Sequence, residues 1–331
     1  MPCRFYLGID VAKATLDCLL LDTANAKRKA KSLTNSAAGL TSLLDWLAKQ
    51  QISLDELQVI MEPTGVYHEH ALFALAQAGL AVSLVNPAQL RKFAQGIGVK
   101  TKTDAADSAV LARYGAANHP PAWQPPSVLA RELRALLARR DAVAQDLQRE
   151  RNRAEKAATA IDTPQRVQQS LDEAIRFLQK ELAELQRAIN QHIDNAPELR
   201  RIWTLLHSIP GVGERVADHM TALLAARQFQ TAEQLAAYLG VVPVEWQSGS
   251  SVHGRPRMSK AGPAHLRQLL YMPAVVAKTY NPHIRALYDR LLAKGKPKMS
   301  AIGAAMRKLA HLCFGVVHSG KPYDPNCEAK A

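Results

Sequence analysis

Cysteine is scarce in this chain and poorly placed for chemistry. The four thiols, Cys3, Cys18, Cys313 and Cys327, are scattered and no two form a C-x-x-C pair, which argues against both a zinc site and a disulfide framework. No apolar run approaches the roughly 20 residues that a bilayer-crossing helix needs, so no membrane partner is expected. The opening MPCRFYLGID reads as a strand and lacks the layout of a secretory leader; a reduced, cytoplasmic setting follows. Familiar base-reading modules are missing too: there is no zinc finger, and no dense Arg/Lys helix precedes a heptad run. Acid is the remaining shortage. The 331 residues hold 29 Asp and Glu against 42 Lys and Arg, a net charge of +13. From Trp246 to Ala331 the imbalance is fourteen Lys/Arg against three Asp/Glu, a local net of +11. Nearly all the excess lies in the last quarter, which suits a polyanionic partner such as nucleic acid.

The few acids that are present fall where a nuclease needs them. FYLGID (5–10) and VIME (59–62) are apolar, partly β-branched runs that read as strands, and each ends in a carboxylate, Asp10 and Glu62. A third element opens KTKTDAADSAVLARYG, where Thr103 can cap a helix beginning at Asp104. Asp104 and Asp107, three apart, then share one helix face. The order is strand with Asp, strand ATLDCLLLD (14–22), helix, strand with Glu, helix, strand AVSLVNP (81–87), helix with paired Asp. It is compatible with a ribonuclease-H-like sheet. Two strand-end carboxylates facing two helix carboxylates would form an oxygen-only pocket suited to Mg²⁺, with Mn²⁺ as a substitute. Such a site can stabilise the attacking and leaving oxygens of a phosphodiester displacement. The competing reading is bland: Asp in a first helical turn is favoured by the helix dipole alone.

Composition, 47% hydrophobic and 21% charged, suits two or three domains. Residues 1–117 form the α/β part. NHPPAWQPPS (118–127), with four prolines in ten residues, is a linker. A helical region, 128–196, follows. Leu133, Leu136, Arg140, Val143 and Leu147 keep 3-4 spacing, as do Leu171, Ile175, Leu178, Leu182, Leu185 and Ile189, the seam of a coiled coil. Thr163 with Pro164 reads as a cap with proline at the first helical position, dividing the region into two helices. An intramolecular hairpin and a subunit interface fit this pattern equally. Residues 197–331 form a basic, mainly helical domain. Its SIPGVGERVADHMTALLA (208–225) looks like a helix-hairpin-helix turn, in which Gly211 and Gly213 let backbone N–H groups approach a phosphate; the same glycines could simply end one helix and start the next. A capped helix is expected after Thr231.

The second chemical clue is EWQSGSSVHGRPRMSKAGPAHLRQLLYMPA (245–274). Ser248, Ser250 and Ser251 sit in a Gly/Ser-rich loop followed by Arg255, Arg257 and Lys260. No His–Asp pair adjoins it in sequence to build a hydrolase triad, and such loops are usually only flexible. Among arginines, however, a serine hydroxyl could meet a phosphodiester whose charge they neutralise.

With these residues in hand, the chain resembles the DEDD-type transposases of bacterial insertion sequences, the group that includes Piv-like DNA invertases and bridge-RNA-guided recombinases. The stretches that carry the resemblance are YLGIDVAK, MEPTGVY, NPAQLRKFAQ, KTDAADSAVLA, SIPGVG, QSGSSVHG and RMSKAGPAHLRQLLY, spread in order over nearly the whole chain. It implies a RuvC-like first domain with metal ligands at Asp10, Glu62, Asp104 and Asp107. It further implies a coiled coil joining subunits into a dimer or tetramer and a transposase domain with a serine nucleophile. The family's serine precedes a glycine in the QSG stretch, which matches Ser248, with Ser250 and Ser251 close enough to leave the assignment open. Arg267, in the last stretch, joins Arg255, Arg257 and Lys260 on the expected nucleic-acid face. The implied reaction cleaves and exchanges strands of donor and target DNA through a phosphoserine link, directed by a guide RNA, in the bacterial nucleoid. Carboxylates and serine lie on different domains, so folding within one chain or assembly between chains must join them.

Two other classes fit the residues. A structure-selective junction nuclease would use the carboxylates and water but no serine. A non-enzymatic nucleic-acid-binding scaffold would need neither.

Overall fold

The computed structural model describes residues 3–99, 103–245, 247–248, 252–254 and 256–326; at 104–105, 247–248 and 252–253 it describes the backbone alone. The chain divides into two compact units between Pro125 and Pro126.

The first unit is a five-stranded sheet with helices on both faces. Its strands are β1 (Phe5–Val11), β2 (Thr15–Asp22), β3 (Arg28–Thr34), β4 (Leu57–Met61) and β5 (Ala81–Leu84); its helices are α1 (Ala37–Ala48), α2 (Tyr67–Gln77), α3 (Pro87–Gly96) and α4 (Asp104–Asn118). The spatial order is β3-β2-β1-β4-β5. β1 pairs antiparallel with β2 and parallel with β4, β2 pairs antiparallel with β3, and β4 pairs parallel with β5. This is the order of a ribonuclease-H-like sheet. Alternation along β1 sorts its side chains. Leu7, Ile9 and Val11 pack with Leu40, Leu43 and Leu47 of α1 and Leu72 and Leu75 of α2. Tyr6, on the other face, packs with Ile60, Leu90 of α3 and Leu111 of α4. Even-numbered β1 residues therefore face α4.

Two elements depart from the sequence reading. β3 went unrecognised because RKAKSLT is an edge strand with no buried residue, so it shows no apolar alternation and carries the lysines that protect an edge. The run expected as strand to residue 87 ends at Leu84; Asn86 accepts from the Ala88 N–H and, with Pro87 at the first helical position, starts α3.

The second unit begins with a helical hairpin, α5 (Val128–Thr159) and α6 (Gln165–Asp194), then α7 (Pro197–His207), α8 (Glu214–Ala226) and α9 (Ala232–Leu239). Short strands β6 (Pro243–Val244), β7 (Gln247–Ser248), β8 (Val252–His253) and β9 (Arg257–Met258) lead to α10 (Ala264–Leu269), α11 (Tyr271–Tyr280), α12 (Pro282–Ala293) and α13 (Lys298–Ser319). Pro164 itself occupies the N-cap of α6 and no side chain caps it, one position earlier in the helix than the Thr163–Pro164 reading. In α5 the buried line is Ala130, Leu133, Leu137, Arg140, Val143 and Leu147, so Leu137 replaces Leu136. In α6 only Ile189 and Ile193 are buried; Leu171, Ile175, Leu178, Leu182 and Leu185 are half-buried. The hairpin base joins the body through Leu133, Leu137, Ile189, Ile193 and Leu199.

By length and composition α13 could cross a membrane, at a mean hydropathy of 1.2 over its most apolar window. It is instead the central helix of this unit: Ala301, Ala305, Leu309, Ala310 and Cys313 are wholly buried in its core. Arg307, Lys308 and His311 interrupt its sequence, which is why no long apolar run is visible there.

Candidate active site

Gly8 decides how the carboxylates are placed. A Cβ built there would lie 2.0 Å from the Ser108 carbonyl oxygen and 2.6 Å from the Ala112 nitrogen, so only glycine lets α4 press its backbone onto β1. Farther along, a Cβ on Gly115 would lie 2.5 Å from Ile60 and 2.8 Å from Tyr6. The Tyr6 hydroxyl and His119 Nδ1, at the helix end, are 2.7 Å apart. α4 thus runs back along β1: Tyr6 meets its last turns, Gly8 meets Ser108 to Ala112, and the next outward residue, Asp10, faces its first turns. Asp10 shares the α4 face with Gly8, two residues away. Positions 104 and 107 lie one turn before Ser108 and Leu111, on the same sheet-facing stripe.

Glu62 enters through strand register. Ile9 pairs with Met61 as the last step of the parallel ladder, so Asp10 and Glu62 each follow that last pair on neighbouring strands. Ile60, in β4, packs on the α4 side of the sheet, and Glu62 follows directly after the strand's last residue, Met61. Thr103 caps α4 as expected, accepting from the Ala106 N–H at 3.2 Å. Asp107 is half-buried; the Asp104 side chain lies outside the described atoms. The backbone therefore brings the four positions to one edge of one sheet face. Among the described side chains, no three His, Cys, Asp or Glu groups form a ready metal cage.

A fifth acid went unnoticed in the sequence. Asp17 pairs directly with Asp10 across the antiparallel ladder, and directly opposed residues share a face. The alternation of ATLDCLLLD carried that signal: Leu16, Cys18 and Leu20 face α1 and α2, leaving Asp17 toward α4.

In the second unit the expected serine loop has a hairpin frame. β6 pairs with β9 (Pro243 with Met258, Val244 with Arg257), and nested inside it β7 pairs with β8 (Gln247 with His253, Ser248 with Val252). Ser248 is thus the last residue of β7. Ser250, Ser251 and Arg255 lie outside the described residues. The base of this arm is fixed: the Ser259 N–H donates to the Val242 carbonyl at 2.9 Å, and the Lys260 N–H to the Gly240 carbonyl at 3.2 Å. Arg257 and Lys260 are exposed. Arg267 is half-buried and donates from Nη1 to the Ala261 carbonyl at 3.3 Å.

At the expected helix-hairpin-helix turn, Gly211 has φ +102°, and a Cβ there would meet Ala277 at 2.7 Å, so turn geometry and the approach of α11 both require glycine. Gly213 is open, with nothing near its missing Cβ, and sits at the N-cap of α8.

A His–Asp pair does exist in space, invisible to sequence because residues 141 and 219 are far apart. The His219 Nε2 lies 3.0 Å from Asp141 and 2.9 Å from the Arg140 guanidinium. Arg140 also donates to Asp218 and Gln186, both at 3.1 Å, and Asp218 accepts from the Trp203 indole at 2.9 Å. Burial would raise the Asp141 carboxyl, but the hydrogen bond and charge of His219, with Arg140 and Arg215, outweigh it and hold that group well below the usual carboxylate range. Desolvation and the neighbouring His219 push His265 of α10 below its ordinary value. The cluster ties α5 and α6 to α7 and α8.

The chain matches a family model described as "Transposase" over residues 7–163 and a second, "Transposase IS116/IS110/IS902 family", over 203–289. It is 34% identical to the pilin gene-inverting protein of Moraxella lacunata over 323 residues, covering 97% of this chain and 98% of the relative. The pilin gene-inverting protein of Moraxella bovis matches with the same identity and coverage. Among solved structures, T. thermophilus RuvC in complex with Holliday junction substrate aligns at 14% identity, over 36% of this chain and 99% of the other, with a TM-score of 0.28. That score is too low to bear on the fold, which stands on the strand order.

Proposed function

Because the chain belongs to the IS110-type transposase family, and is thereby a DNA-processing enzyme, we propose that it exchanges DNA strands through a serine–phosphate link, with Asp10, Glu62, Asp104 and Asp107 acting as metal ligands. The observation that supports this reading is the close seating of α4 on β1 at Gly8, with positions 104 and 107 on the helix stripe that faces β1 and Glu62 directly after the β4 residue paired with Ile9. The donor set fits Mg²⁺, which binds through one or two carboxylates, several waters and substrate phosphates rather than a closed protein cage. Bound there, the ion would neutralise the scissile phosphate and favour ionisation of a nearby hydroxyl.

The protein's own steps conserve bonds. The Ser248 hydroxyl gives up its proton and its oxygen bonds to phosphorus; the bond from phosphorus to one deoxyribose oxygen breaks, and that oxygen takes the proton. A hydroxyl from another strand then bonds to the same phosphorus, the phosphorus–serine oxygen bond breaks, and the serine oxygen takes that hydroxyl's proton, so strands are exchanged without net hydrolysis. Exposed Arg257 and Lys260, with Arg255, would offset phosphate charge beside the arm. Gene inversion is what the Moraxella relatives are named for, and inversion or transposition is the outcome proposed here. Backbone contacts from the basic C-terminal quarter would supply affinity, and a guide RNA pairing with donor and target would supply sequence choice. Subunits would associate through the half-buried leucine stripe of α6.

The test is a denaturing gel with end-labelled DNA and purified protein. A protein-linked band should form in the parent and vanish in Ser248→Ala and in Asp10→Asn. Cleavage to free ends without any linked band would favour the water-using nuclease.

A further inference from the structure

Two segments that leave the acidic edge are tied together by one side chain, Asn35. β1, β3 and β4 finish at the same end of the sheet, where Val11 pairs with Leu16, Thr34 with Thr15 and Met61 with Ile9. Ala12 lies two residues after Asp10, and residues 62–66 join Glu62 to Tyr67, where α2 starts. Half-buried Asn35, just past β3, donates from Nδ2 to the Ala12 carbonyl at 2.9 Å and to the Tyr67 carbonyl at 3.1 Å. A primary amide offers two N–H donors, and here each goes to a different backbone oxygen. The β1–β4 ladder stops at Ile9 and Met61, so Asn35 continues the connection past that pair.

Asn35 is itself a fixed post. Its own N–H donates to the Ala14 carbonyl at 2.9 Å, and Ser36, the next residue, caps α1 by accepting from the Gly39 N–H. A Cβ on Gly39 would lie 1.9 Å from the Thr34 carbonyl oxygen, so α1 presses on the residue just before Asn35. The Glu62 side of the tie is braced as well. Thr64 Oγ1 donates to the Glu62 carbonyl at 3.4 Å, and the Thr64 N–H donates to Nδ1 of buried His68 at 3.2 Å.

Resting on the metal-ligand reading of Asp10 and Glu62 above, we propose that Asn35 is a positioning residue for cation binding: by tying Ala12 to Tyr67 it fixes the separation of the two carboxylate-bearing segments. It acts through backbone and ligates nothing. Mg²⁺ demands near-ideal octahedral geometry, and two carboxylates repel each other until a cation arrives. A tie that holds them in place beforehand therefore strengthens binding.

Isothermal titration calorimetry with Mn²⁺ on DNA-free protein tests this, beside strand-exchange rate against Mg²⁺ concentration. Asn35→Ala removes both donors. Asn35→Asp removes them at unchanged size and adds a negative charge, which by itself would tighten cation binding. Both should weaken Mn²⁺ binding about tenfold and raise the Mg²⁺ needed for half-maximal rate by a similar factor, with most of the parental rate restored at saturating metal. Asp10→Asn is the reference and should abolish binding. Parental Mn²⁺ affinity in both Asn35 variants beside its loss in Asp10→Asn overturns the role of Asn35 and leaves the metal reading standing. Parental affinity in Asp10→Asn, or no binding by the parent, overturns the metal reading and the role of Asn35 with it. A rate loss that no metal concentration restores, or unfolding of both variants by circular dichroism, makes Asn35 merely structural and overturns the proposal.

Discussion

Gly8→Ala is the sharpest perturbation of the carboxylate edge, because it touches no acid. Real Cβ atoms essentially never come within 3.0 Å of another heavy atom, and the new one would start 2.0 Å from the Ser108 oxygen. The obstruction is backbone, which no rotamer change relieves, so α4 must retreat from β1 by at least about 1 Å there. Overpacking of this kind costs about 1–3 kcal/mol, a loss of about 3–10 °C in the melting temperature of a unit this size. Positions 104 and 107 move with the helix, while Asp10 and Glu62 stay with the sheet. A misplacement of about 1 Å in a catalytic constellation costs about a hundredfold in rate. The assay is strand-exchange rate at a temperature well below the melting transition, where the variant is still folded. Gly96→Ala is the control, since a Cβ there meets nothing within 4 Å; it should behave as the parent. Parental rate and parental stability in Gly8→Ala would refute the claim that α4 is seated by this glycine.

Other consequences are as direct. Asp10→Asn, Glu62→Gln, Asp104→Asn and Asp107→Asn should each abolish strand exchange while leaving the melting temperature nearly unchanged, and chelator should do the same reversibly; full activity in Asp104→Asn would remove that residue from the ligand set. Replacing half-buried Leu178 and Leu185 of α6 by Asp should lower the solution mass measured by light scattering, whereas an unchanged mass would leave α5 and α6 as a hairpin within one chain. Arg140→Met strands the buried Asp218 carboxylate and should cost about 3–5 kcal/mol by denaturant unfolding; a cost below about 1 kcal/mol would mean that Asp218 finds another partner.

The parts of this fold that were legible in the sequence are those that local chemistry dictates. FYLGID and VIME became β1 and β4 because continuous apolar runs suit strands buried on both faces, and Thr103 and Thr231 cap α4 and α9 where expected. A mixed α/β first part and a helical second part could be read from periodicity alone. What stayed hidden depends on long-range partners. Arg140 falls in a leucine line that gives no local reason for a charge; its partner is Asp218 on α8, 78 positions away. Asp17 became part of the acidic edge only through antiparallel register with Asp10. Gly8 carries no local signal within FYLGID; what requires it is the backbone of α4 at Ser108, 100 positions on. The serine segment read as a flexible loop because its four strands are two residues each, too short for any apolar period.

The central claim, a covalent serine–phosphate link that depends on the acidic edge, is tested most directly by peptide mass spectrometry. Protein is incubated with DNA and Mg²⁺, the adduct is trapped by denaturation, nuclease trims the DNA, and the modified peptide is sequenced. The account predicts a nucleotide mass on Ser248, absent in Asp10→Asn protein treated identically. A mass on Ser250 or Ser251 would move the nucleophile along the arm. Efficient strand exchange with no modified serine, or an undiminished adduct in Asp10→Asn, would contradict it.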